Sequence, residues 1–78
     1  MEEKLNALNE TLIKLEAATN FPHDQIRIRI ENEYFAIDIE DETWDNYLHF
    51  DEVIDILTDL FRGIALGKGI EWRYRGWI

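Results

Sequence analysis

Two stretches of strict apolar alternation, residues 25–31 (Q-I-R-I-R-I-E) and residues 34–40 (Y-F-A-I-D-I-E), stand only two residues apart. Successive side chains on a strand point to opposite faces, so a period of two excludes a helix and divides each stretch into two faces. Ile26, Ile28 and Ile30 fall on one face with Arg27 and Arg29 on the other, while Phe35, Ile37 and Ile39 turn inward with Asp38 and Glu40 outward. Asn32-Glu33 between them suits a tight turn because Asn tolerates a positive φ; Glu in place of Gly leaves the turn type open. The spacing predicts an antiparallel hairpin with one buried face. A lone hairpin is marginal in water, so something must cover that face.

Two amphipathic stretches supply the cover. Met1, Leu5, Leu8, Leu12 and Leu15 recur at steps of three and four, with Ile13 widening the stripe, and predict a helix over residues 2–18. Glu2 and Glu3 suit its first turn, and Thr19-Asn20 followed by Phe21-Pro22 ends it. From Phe50 onward, Val53, Ile54, Leu57, Leu60, Phe61 and Ile64 trace one face of a second helix, closed by Gly63 or Gly67. Residues 41–48 read as a polar and aromatic connection. Ile70, Trp72 and Tyr74 alternate with Glu71, Arg73 and Arg75 as a last strand, parallel to the second. The expectation is one α+β domain over residues 1–78, in α-β-β-α-β order, with a three-stranded sheet and helices packed on one face. The Leu stripe packs on this sheet; the alternative is a helix–helix dimer seam.

Size and composition narrow the chemistry. With 78 residues the chain supports one modest core and no deep catalytic cavity, and 46% apolar content is too high for a disordered acidic tail. It contains neither Cys nor Ser, which excludes thiol and serine nucleophiles, disulfides and cysteine-ligated metals. Gly63, Gly67, Gly69 and Gly76 form no dinucleotide fingerprint, and Gly67-Lys68 is followed by Gly69 instead of Ser or Thr. His23 and His49 have no ligand-spaced partner. Asp38 and Glu40, two apart on one strand face, could be picked as a hydrolytic pair, but nothing around them would raise a pKa. No catalytic residue, metal ligand or cofactor is therefore expected, and the chain is expected not to be an enzyme. With no leader and no membrane span legible, a cytoplasmic location is the expectation. A further alternative is a degenerate calcium loop: Asp41, Thr43, Asp45 and Glu52 match positions of an EF-hand, although Asn46 replaces the turn glycine.

Charge is placed unevenly. Between Arg29 and Arg62 there is no Lys or Arg, while eleven acids from Glu31 to Asp59 give that stretch -11; the remainder has 6 acids and 8 bases, +2, for a total of -9. Asp51, Asp55 and Asp59 recur every four residues and line one side of the second helix, about 6 Å apart. Trp44 and Tyr47 add rigid aromatic anchors of the kind that dominate interfaces. Arg27, Arg29, Arg73 and Arg75 share the outward sheet face with Asp38 and Glu40 and can neutralise those two acids. The candidate partner-binding residues are Glu40, Asp41, Glu42, Trp44, Asp45, Tyr47, Asp51, Glu52, Asp55 and Asp59. The plain alternative is a solvated face that only keeps the domain soluble.

In size, acidity, lack of Cys and mixed element order, with the acids from Asp38 to Asp59, the chain resembles the class of small acidic inhibitors carried by phages and mobile elements. That class includes anti-CRISPR and other anti-defence proteins and nuclease-immunity proteins. The resemblance implies a non-catalytic inhibitor that occupies the nucleic-acid site of a nuclease or other DNA- or RNA-binding protein by acidic mimicry. Direct binding to nucleic acid is not expected, because the net charge repels phosphate. The C-terminal Trp72, Tyr74 and Trp77 with Arg73 and Arg75 read as core or as a protein-binding edge instead of a base-stacking platform. The competing class is a small structural or assembly protein that self-associates, as a homodimer for instance, through the Leu5, Leu8, Leu12 and Leu15 stripe or through the last strand.

Overall fold

The computed structural model describes residues 1–22 and 24–69. The alternating stretches form β1 (Ile26–Glu31) and β2 (Tyr34–Ile39), paired antiparallel with Ile26 opposite Ile39, Ile28 opposite Ile37 and Ile30 opposite Phe35. Asn32 and Glu33 have φ of 51° and 68°, so both central residues of the turn are left-handed, the type I′ geometry that matches strand twist. Glutamate is strained there, whereas glycine is not. Glu33→Gly is therefore expected to stabilise the domain by up to about 1 kcal/mol, read as a higher urea midpoint with unchanged slope. A midpoint that stays or falls would mean that the turn is not strained.

The segment at residues 41–48, expected to be a connection, is instead a third strand, β3 (Glu42–Leu48). Glu40 and Asp41, with φ of 52° and 66°, make a second tight turn, so Glu40 belongs to the turn and not to the outward face of β2. The strands run in the order β1-β2-β3, all antiparallel, between α1 (Glu2–Thr19) and α2 (Phe50–Gly67). Over the described residues the order is thus α-β-β-β-α and not α-β-β-α-β. The strand expected around Ile70, Trp72 and Tyr74 lies outside the described residues, together with its parallel pairing and Arg73 and Arg75. Pattern reading misses β3 for a physical reason: among the described residues it stands at the sheet's edge, and it buries Leu48 alone. Two register shifts against β2 also break its alternation.

One core cluster joins the elements. Leu8, Leu12 and Leu15 of α1 meet Val53, Ile54, Leu57 and Phe61 of α2 and Ile26, Ile28, Phe35, Ile37 and Leu48 of the sheet. The Leu stripe of α1 is thus buried in its own domain, with Leu8 and Leu15 fully inaccessible and Leu5 packed against the cluster. Phe21 seats its ring edge-to-face on Phe61 at 5.4 Å.

The helix ends are held by identifiable bonds. At the end of α1, Asn20 turns left-handed at φ 54° and the Phe21 N–H donates to the Glu16 carbonyl at 3.0 Å. Lys68, just past α2, donates its Nζ to the carbonyls of Thr19 (3.0 Å) and Asn20 (3.2 Å). A cation there meets the negative end of α1 and ties the two helices together. α2 runs through Gly63 to Gly67. At its start, the His49 N–H donates to the Glu52 carboxylate at 3.0 Å, half of a capping box. Among the described residues no helix is long and apolar enough to cross a membrane.

Candidate protein-binding surface on the third strand and second helix

β3 and α2 carry every candidate acid but two, and Glu40 and Asp41 stand in the turn that opens β3. All ten candidate residues are exposed. The register sets Glu42 beside Ile39 and Asp45 beside Ile37, on the sheet face whose residues enter the core; at the sheet's edge they nonetheless meet solvent. Asp51, Asp55 and Asp59 follow on α2, one turn apart. Among the described residues no Lys or Arg pairs with Glu40, Asp41, Glu42, Asp45, Asp51, Asp55 or Asp59. Glu52 is different, since its carboxylate is engaged at the cap of α2.

The outer sheet face behaves otherwise. Arg29 donates from Nε to Asp38 at 2.9 Å, from Nη1 to Glu31 at 2.8 Å and from Nη2 to the Thr43 hydroxyl at 3.0 Å. Asp38 is thereby paired, as the shared face of Arg29 and Asp38 implies, and Glu31 shares the same guanidinium, which leaves the three side chains at -1 together. The Arg29 hydrogen bond holds the Asp38 carboxyl below the ordinary carboxylate range, against an opposing push from partial burial. A depressed folded-state pKa contributes stability above the unfolded value of about 3.9, and that contribution is lost as pH falls through the folded value. Asp38→Asn is accordingly expected to lower the urea midpoint at neutral pH and to flatten its decline below about pH 4. An acid limb as steep as that of the parent chain would contradict this pairing.

The hydrolytic pair suggested by spacing does not form as a site: Asp38 is held by Arg29 and Glu40 stands in the turn. The calcium-loop alternative loses its loop, because residues 42–48 are strand, which strings Thr43 and Asp45 out along an extended chain. Among the described residues no group of acidic or histidine side chains could hold a metal ion. Two grooves flank Ile13 and Glu16 on α1, lined by none of the candidate residues.

The aromatic part of the surface holds a residue that sequence reasoning missed. Trp44 is 56% exposed and Tyr47 64% exposed. Tyr34, on the outer face of β2, meets Tyr47 edge-to-face at 5.9 Å and His49 at 5.5 Å. Its outward parity was legible from the alternation, but its neighbours depend on β3. Tyr47 itself is left-handed, φ 56°, where the strand is irregular. Comparison with family models, curated proteins and solved structures finds no match. The surface is therefore read from its own geometry.

Proposed function

We propose that the chain is a non-catalytic acidic inhibitor, of the anti-defence or nuclease-immunity type carried by phages and mobile elements. It blocks the nucleic-acid-binding site of a nuclease or other basic protein. The observation that carries this reading is the run of exposed acids, without a basic partner among the described residues, along the β3 edge and the Asp51, Asp55, Asp59 stripe of α2. Duplex DNA presents a charge about every 3.4 Å along each strand, so one helical row at about 6 Å is too sparse to imitate it. Glu40 and Asp41 in the turn and Glu42 and Asp45 on β3, the strand that precedes α2 in the chain, supply further charge, and Trp44 and Tyr47 supply anchoring area.

Burial of Leu8, Leu12 and Leu15 weighs against self-association through that stripe, which would have to open the core; the last strand, the other proposed seam, lies outside the described residues. Ionic strength tests the proposal. Affinity for the partner is expected to fall at least tenfold between about 0.05 and about 0.3 M salt, since the Debye length shrinks from about 14 to about 6 Å. Affinity that does not change with salt would remove charge as the basis of recognition.

A further inference from the structure

We infer that the Tyr34–Tyr47 pair is the seat of a partner arginine: a guanidinium lies over the Tyr47 ring while the acids of β3 hold the surrounding basic surface. This rests on the acidic-docking reading above and names the side chain recognised. Tyr34 meets both Tyr47 and His49 and is 37% exposed, whereas Tyr47 is 64% exposed and is the more open ring of the pair. Among the described residues no cation is placed over it. Arg29, on the same outer face, has its guanidinium taken by Asp38, Glu31 and Thr43, and from residue 30 to residue 61 the chain carries no Lys or Arg. Glu33, exposed and next to Tyr34 in sequence, adds a negative charge at this end of the hairpin.

A bare aromatic ring in a negative field attracts a cation through its quadrupole. Arginine suits the ring better than lysine, because its planar, weakly hydrated guanidinium stacks on the ring while its N–H groups still reach carboxylates. A nucleic-acid base could also stack on tyrosine, but its phosphates would face the block of -11.

The test uses the full chain titrated calorimetrically with an oligo-arginine peptide, an oligo-lysine peptide of equal length and an oligothymidine. Oligo-arginine is expected to bind about two- to fivefold more tightly than oligo-lysine, the gain of an exposed cation–π contact. Carboxylates alone also favour arginine, so the deciding quantity is the change in that preference on substitution. Tyr47→Phe keeps the ring and should keep the preference. Tyr47→Asn removes the ring with a residue that accepts a left-handed backbone, so it should fold and bring the two peptides closer in affinity. A preference that survives Tyr47→Asn, equal binding of both peptides to the parent chain, or binding of oligothymidine would overturn the arginine seat. If neither peptide binds, the acidic-docking reading itself fails; if both bind without preference, only the seat fails.

Discussion

Leu8→Glu is expected to unfold the domain at every protein concentration, and not to split an oligomer into folded monomers. Leu8 is fully inaccessible and belongs to the same cluster as Phe35, Leu57 and Phe61. A carboxylate there would lose the burial of a leucine, about 2 kcal/mol, and would bring a charge into an apolar site whose effective penalty is several kcal/mol more. Small domains hold only about 5–15 kcal/mol in total, so the substitution removes most or all of it. Circular dichroism over a wide range of protein concentrations reads the outcome. A Leu8→Glu chain that melts like the parent, with only its hydrodynamic size reduced, would restore the dimer seam.

Replacing Asp51, Asp55 and Asp59 together by Asn should weaken binding while leaving stability close to that of the parent chain. The three residues stand one turn apart on the exposed side of α2 and repel one another. The two like-charge i, i+4 pairs cost about 0.2–0.5 kcal/mol each, while Asp51 in the first turn gains about 0.3–1 kcal/mol from the helix N-terminus, so the triple variant should stay within about 1 kcal/mol of the parent. Partner affinity should nevertheless fall about 10- to 100-fold at low salt, if each acid contributes about 0.5–1 kcal/mol as exposed ion pairs do. The salt dependence of what remains should also be shallower. Lost affinity with retained stability separates a surface used for recognition from damage to the fold. A variant that keeps full affinity would leave the stripe as a solubilising face.

Legibility followed burial. The hairpin at residues 26–39 was readable because each strand buries one face, which writes a period of two into the residues. The helices were readable because Leu8, Leu12 and Leu15, and Val53, Leu57 and Phe61, bury theirs. β3 was not readable, since a strand that buries Leu48 alone has no reason to alternate and its register shifts erase what pattern there is. The candidate acids were visible as a run without Lys or Arg, but their arrangement was not: Glu40 moved into a turn and Glu52 became the cap of α2. Lys68 was readable only as part of a basic end, whereas it closes α1 through carbonyls some fifty positions away in sequence. The Tyr34–Tyr47 contact depends on a strand pairing that no local pattern announces.

The most direct measurement is displacement. The partner recovered on the immobilised chain is loaded with labelled duplex DNA and titrated with the free protein, parent and Asp51→Asn/Asp55→Asn/Asp59→Asn side by side. The inhibitor account expects the parent to release the duplex stoichiometrically and the triple variant to need at least about tenfold more protein. A complex in which partner, duplex and chain coexist, or equal displacement by both proteins, would contradict it.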